Sequence, residues 1–152
     1  MSDDCDNKAI REIMSELQVI LGDKNASVMS RVGRSMAIRW IEGKSFETPQ
    51  ELLEAVAKYF QDELDLTEIT TVDYDESGKA SLNIEGCKPC CGNLVKAKGG
   101  TPACPMSSFA LTALKKMFPD LKKVQLDGIE KKLDENQNAL VGICYQKLTI
   151  EI

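Results

Sequence analysis

Cys87-Lys-Pro-Cys90-Cys91-Gly-Asn-Leu-Val-Lys-Ala-Lys-Gly-Gly-Thr-Pro-Ala-Cys104-Pro105 holds four of the six cysteines of a 152-residue chain. The stretch contains three glycines and three prolines and no apolar run long enough for a core strand or helix, so propensity gives it no reason to be ordered. Something must tie it down. Cys87 and Cys90 form a CxxC pair that can reach one centre, and Cys104, thirteen residues beyond Cys91, closes the loop on it. A metal clip is the natural reading. The chain has no histidine, so a metal here would be held by sulfur, with a carboxylate or an exogenous ligand as the only ready supplement.

The flanks of this stretch set the fold. Upstream, Ile69 to Tyr74 and Lys79 to Ile84 read as short strands, the second alternating at Ala80, Leu82 and Ile84, joined by the turn Asp75-Glu-Ser-Gly78. Downstream, Cys104-Pro105 introduces a helix through about Phe118, with Phe109, Leu111, Leu114 and Phe118 on its buried side. Cys104 thus sits beside a helix N-terminus, where exposed amides and the dipole favour a thiolate. Val124 and Leu126 start a further strand, with Gly128 as a bulge, then Ile129 and Leu133. A turn at Glu135-Asn-Gln-Asn138 leads into a last strand from Ala139 to Ile152, in which Leu140, Cys144, Leu148, Ile150 and Ile152 share a face. Cys144 is in register with core residues and reads as a buried structural thiol.

Helices fill the first half. Residues 1–7 are polar and expected to be frayed, with Cys5 given no role. Ile10, Ile13, Met14, Leu17, Ile20 and Leu21 recur at helical spacing from Lys8 to Leu21, and Gly22 stops that helix. A second runs from about Ala26 to Ile41, with Val28, Met29, Val32, Met36 and Trp40 on one side. Its Gly33 and Ala37 form a flat patch suited to close packing of another backbone. Thr48-Pro49-Gln50-Glu51 starts a third helix, Thr48 capping and Glu51 bonding back to the cap amide. Its stripe is Leu52, Leu53, Val56, Phe60 and Leu64, and the terminal acids Asp62, Glu63 and Asp65 read as a solvated face. The order predicts one α+β domain over residues 1–152. A helical layer packs on an antiparallel sheet of about four strands, with a cysteine-rich loop between the second strand and the fourth helix.

A chain of this length buries a core without a disulfide staple. The net charge of −5 with interspersed signs argues against nucleic acid or an anionic membrane as partner. No basic leader precedes an apolar run, and no apolar stretch approaches the ~20 residues of a membrane span. The expectation is a cytoplasmic protein, whose crowded cysteines suit metal or redox chemistry better than a secreted disulfide framework.

The helical first half with Arg31-Val-Gly33-Arg, the cysteine loop after a hairpin, and Cys104-Pro-Met-Ser-Ser-Phe109 leading a helix into two strands resemble the 4-vinyl reductase, or hydrocarbon-binding, domain family. The resemblance covers nearly the whole chain. It implies a small-molecule-binding domain with a hydrophobic ligand channel, related in fold to vesicle-tethering subunits, whose cysteines bind metal; a homodimer is compatible with it. Cys104 matches that family's loop-to-helix cysteine and Cys144 the cysteine of its final strand. The family's further C-terminal cysteines and Gly-Asp turn are replaced here by Asn136-Gln-Asn138 and a single cysteine, which sets Cys144 below the others as a ligand.

Three functions follow. The first is a non-catalytic domain holding zinc or an iron–sulfur cluster on Cys87, Cys90 or Cys91, and Cys104, with the other vicinal thiol or Cys144 as the fourth ligand and Lys88, Lys96 and Lys98 offsetting an anionic cluster. An apolar or aromatic molecule would then sit between helices and sheet against Met14, Met29, Met36 and Phe109. The second is a thiol redox protein using Cys87 and Cys90. The third is an interaction module, suggested by fold relation and by Trp40 and the methionines.

Overall fold

Period-two alternation between residues 69 and 85 closes into a hairpin from which the sheet grows. The computed structural model describes residues 3–132 and 143–152. In it β1 (Ile69–Tyr74) and β2 (Lys79–Glu85) pair antiparallel. Asp75 Oδ1 accepts the amides of Ser77 and Lys79 at 2.9 and 3.0 Å, and Gly78 takes the left-handed backbone the turn requires, at φ +89°. β3 (Lys123–Lys132) and β4 (Ile143–Glu151) complete an antiparallel sheet of order β1-β2-β4-β3. The α+β architecture is as the sequence implies. Ala80, Leu82, Ile84, Leu148 and Ile150 are buried beneath the helices. The opposite face is polar, with Asn83 donating to Asp73 at 2.9 Å and Lys147 paired with Glu130 at 2.8 Å.

The bulge in β3 changes what that strand presents. Leu126 pairs with Leu148 and Gly128 with Lys147, leaving Asp127 as the extra residue. One added residue inverts the alternation. Val124 and Leu126 face the helices before the bulge, and Ile129 and Lys131, opposite Gln146 and Cys144, face them after it. The expected turn at 135–138, Leu133, and the start of the last strand at 139–142 with Leu140 lie outside the described residues.

The helical layer comprises α1 (Asp3–Leu21), α2 (Asn25–Trp40), α3 (Pro49–Lys58), α4 (Gly92–Ala97) and α5 (Pro105–Met117). In α3 the Thr48 hydroxyl accepts the Glu51 amide at 3.1 Å, while the Glu51 carboxylate accepts the Glu47 amide at 3.0 Å, one residue beyond the expected cap amide. Leu52, Leu53, Val56 and Phe60 are fully buried, Phe60 within a π turn that extends α3, and Asp62, Glu63 and Asp65 are exposed as anticipated. The segment expected to be a plain loop contains α4, which starts directly after Cys91.

Gly33 packs against α5 as its sequence context suggested. A Cβ there would fall 2.0 Å from the Pro105 carbonyl oxygen and 2.1 Å from Ser108 Oγ. The Ser108 hydroxyl donates to the Ser30 carbonyl at 2.9 Å across the same contact. The buried row of α2 is Asn25, Met29, Gly33, Ala37 and Trp40, so Val32 and Met36, expected on the inner side, are exposed.

α1 departs furthest from expectation. It is helical from Asp3, not frayed to residue 7. Its apolar stripe faces outward: Ile10, Ile13, Leu17 and Ile20 are exposed, Ile13 at 67% and Ile20 at 78%, whereas Ser15 and Gln18 are buried. The reason is what α1 packs on. Its neighbour is the cysteine segment, poor in side chains and rich in backbone groups that need partners. Arg11 Nε donates to the Lys88 carbonyl at 2.8 Å, and Gln18 Oε1 accepts the Ala103 amide at 3.0 Å. Asn25 Nδ2 bonds Gln18 Oε1 at 2.8 Å and the Thr101 carbonyl at 3.0 Å.

Gly33→Ala should separate α2 from α5. Overpacking against backbone destabilises by about 1–3 kcal/mol or more, read as a lower denaturation midpoint, while Ser35→Ala on the exposed side should stay within about 0.5 kcal/mol of the parent.

Candidate thiol-lined site

Between the helical layer and the sheet lies a cavity of about 540 Å³. Met14 of α1, Met36 of α2, Phe60, Ile84 of β2, Met106 and Phe109 of α5 and Ile129 of β3 form its apolar wall. Five cysteines, Cys87, Cys90, Cys91, Cys104 and Cys144, line the same space, all as free thiols. Four pieces of chain deliver them. Cys87 leaves the end of β2, Cys90 and Cys91 occupy the turn before α4, Cys104 caps α5, and Cys144 stands on β4 opposite Ile84.

The turn resolves the vicinal pair. The Cys90 amide bonds the Cys87 carbonyl at 3.3 Å and the Val95 amide bonds the Cys91 carbonyl at 2.9 Å. Chain direction changes between Cys90 and Cys91, so both line one cavity where an extended chain would set them on opposite sides. Gln18 Nε2 donates to Cys91 Sγ at 3.3 Å, and Lys131 Nζ lies 3.7 Å from Cys90 Sγ. Of the lysines expected to offset a cluster, Lys88 pairs with Asp65 at 2.8 Å and Lys98 with Glu16 at 2.8 Å and Glu12 at 3.0 Å. Only Lys96 lines the cavity, and Lys131 is the cation beside the thiols.

Burial governs the thiols. It pushes Cys144 up to about 11 from an ordinary 9.0, with the neighbouring Cys104 adding to the rise. Cys87 is raised much further by burial and then by Cys104, Cys90 and Cys144, and Cys91 is raised by burial and by Cys90. Cys104 overturns a sequence-based expectation. The amides of Met106 and Ser107 at the start of α5 do favour its thiolate, but desolvation is the larger effect and its pKa rises. Lys131 opposes the rise at all four.

Met29 is buried away from the wall, and Met14, Met36 and Phe109 are in it. Lys131 and Gln146 escaped sequence reasoning. Lys131 faces the cavity because the bulge sets its phase, and only a commitment to that bulge could have placed it. Gln146 sits between Cys144 and Leu148 on the buried face, fully enclosed, with neither amide atom hydrogen-bonded among the described residues. A polar residue in a core stripe was the available signal.

The donor set is that of a thiophilic metal, being sulfur without histidine. Among the described residues, however, no three cysteine, aspartate or glutamate side chains are placed to share one ion, so the thiols would have to rotate to do so. Also among the described residues, no helix is long and apolar enough to cross a membrane. No protein-family model and no curated protein matches the chain. The resemblance to 4-vinyl reductase domains rests on element order and cysteine placement.

Cys87, Cys91, Cys104 and Cys144 ionise near 9.0 when unperturbed and above that in the fold, so the folded state keeps protons the unfolded chain releases. The associated stability is present below pH 9 and should fall as pH rises through 11, by roughly 1.4 kcal/mol per pH unit for each proton retained. Denaturant unfolding of metal-free protein between pH 8 and 11 measures it. Alkylation of the native protein at pH 7 should be slow at Cys87 and Cys144.

Proposed function

We propose that the chain is a non-catalytic small-molecule-binding domain whose cavity wall carries a thiol centre for zinc or an iron–sulfur cluster. One observation carries the reading: five cysteines from separate parts of the chain line one largely apolar cavity of about 540 Å³, a size that encloses a drug-sized molecule. The centre would be held by Cys87, Cys90, Cys91 and Cys104. Cys144 lines the same cavity and joins the candidate set. A bound zinc or cluster would supply a structural tie between β2, β4 and α5.

The cavity suggests the ligand. Its wall is mostly carbon and sulfur with the Gln18 amide, and it carries Lys96 and Lys131 as its charged residues and no carboxylate among those described. An apolar or aromatic body fits such a wall, and a polar or anionic end is tolerated beside the lysines. Gln146, two residues from Cys144 and opposite Ile129, offers an amide unpaired among the described residues to a ligand that reaches past them. The CxxC redox alternative has less support. Cys87 is buried with its thiol held in the protonated form, and an attacking sulfur needs the thiolate.

Protein prepared without oxygen should carry about one metal centre per chain, identified by elemental analysis with the visible spectrum. Cys87→Ser, Cys90→Ser and Cys104→Ser should each abolish retention, and Cys5→Ser should change nothing. An environment-sensitive apolar dye should bind the folded protein with an affinity that differs between metal-loaded and metal-free forms. Absence of metal after anaerobic reconstitution removes the centre from the proposal, and absence of dye binding in both forms removes the cavity.

A further inference from the structure

Gln18 is enclosed where α1 meets the cysteine segment, 5% exposed, and its side chain lines the cavity. Its amide has one orientation open to it. Oε1 accepts the Ala103 amide at 3.0 Å and Asn25 Nδ2 at 2.8 Å, and both of those groups are donors. Asn25 Nδ2 also donates to the Thr101 carbonyl at 3.0 Å, so the asparagine cannot turn its own oxygen inward without setting oxygen against oxygen. Nε2 of Gln18 is thereby aimed at Cys91 Sγ, 3.3 Å away.

The bonds to Ala103 and Thr101 would suffice to anchor the loop. An N–H directed at sulfur adds little while Cys91 is a neutral thiol, a weak acceptor, and gains strength when the sulfur is a metal-bound thiolate. Hydrogen bonds of this kind orient metal ligands and tune the metal they hold. The fold bears a cost to keep the arrangement, because Asn25 Oδ1 is buried without a partner among the described residues. Gln18 also reaches across the loop. Ala103 adjoins Cys104, so one side chain touches Cys91 and the residue before a second thiol, thirteen positions further along the chain. Cys90, the other vicinal thiol, has instead Lys131 Nζ at 3.7 Å, a point charge on a flexible stem.

We propose that Gln18 is a positioning residue of the thiol centre, fixing Cys91 as one of its ligands and holding Cys104 across the loop from it. This rests on the metal-binding reading given above. Gln18 touches no metal itself and acts through the sulfur.

Metal-free protein is titrated anaerobically with cobalt(II) and, in parallel, reconstituted with iron and sulfide, each followed by its thiolate-to-metal absorption. Gln18→Glu keeps an oxygen for the Ala103 and Asn25 donors and loses the N–H to sulfur. Gln18→Met loses both at similar volume and serves if the buried carboxylate does not fold. Either should weaken binding of the metal that the parent accepts by about ten- to a hundredfold in competition with a chelator. Either should also shift the charge-transfer band, at an unchanged circular dichroism spectrum. Asn25→Ala removes ties to the loop and keeps the N–H, so its band should stay at the parent's position. Cys91→Ser should lose part or all of the band. The assignment fails if the folded Gln18 variants keep the parent's affinity and band, if Asn25→Ala shifts the band as far as they do, or if Cys91→Ser leaves it unchanged. A parent that takes up neither cobalt nor a cluster overturns the metal centre itself, and the assignment with it.

Discussion

The contact at Gly33 sets the geometry on which everything else depends. Where other residues carry a Cβ, Gly33 meets the Pro105 carbonyl and Ser108, so α2 and α5 approach to backbone distance. α5 then brings Phe109 into an aromatic group with Trp40 at 5.5 Å, Tyr59 at 5.7 Å and Phe60 at 5.1 Å between ring centres. Ala110, Ala113 and Leu114 of the same helix are fully buried. Phe60 and Phe109 of this group also line the cavity, so the same close packing shapes its wall. Pro105 adjoins Cys104, so the residue that fixes the helix crossing also fixes one wall thiol.

The chemistry of that wall is a contest between two effects at one residue. Cys104 stands where a helix start stabilises a thiolate by roughly 0.3–1 kcal/mol, up to ~2 in partly buried settings. Removing the thiolate from water acts the other way, and at Cys104 it is the larger effect. Cys87, Cys91, Cys104 and Cys144 are therefore held toward the neutral form in an apolar space. Lys131 relieves part of the desolvation from the rim of the cavity, which explains why its influence reaches all four perturbed thiols.

Strand content, the β1–β2 turn, the cap of α3 and the Gly33 contact were legible because each is a local rule with a short-range signature. The Asp75 turn and the Thr48 cap need only neighbours within four residues. Whatever depended on a distant partner was harder to read. The 3.6-residue period of Ile10, Ile13, Leu17 and Ile20 shows that α1 has an apolar face but not which face packs, and Gln18 gave no sign that the cysteine segment would claim it. The four thiols within residues 87–104 are adjacent in the sequence and line one cavity, though among the described residues no three are placed to share an ion. Cys144 required knowledge that β4 pairs with β2 so as to set it opposite Ile84, and Lys131 required the phase change at Asp127.

How firmly α1 is seated follows from the kind of bonds that seat it. Arg11, Ser15 and Gln18 hold the cysteine segment and Lys98 through directional bonds, not through buried apolar area. A hydrogen bond contributes a net ~0.5–1.5 kcal/mol, and a buried group left unpaired costs about 1–3. Arg11 Nη2 and Asn25 Oδ1, in this same set, are buried without partners among the described residues. Gain and cost thus partly cancel, and α1 gains little hold from its inner face. Its outer face carries the apolar side chains whose burial would contribute most, at about 25 cal/mol per Å² covered. Order in the cysteine segment and the position of Met14 in the cavity wall are therefore linked through one helix.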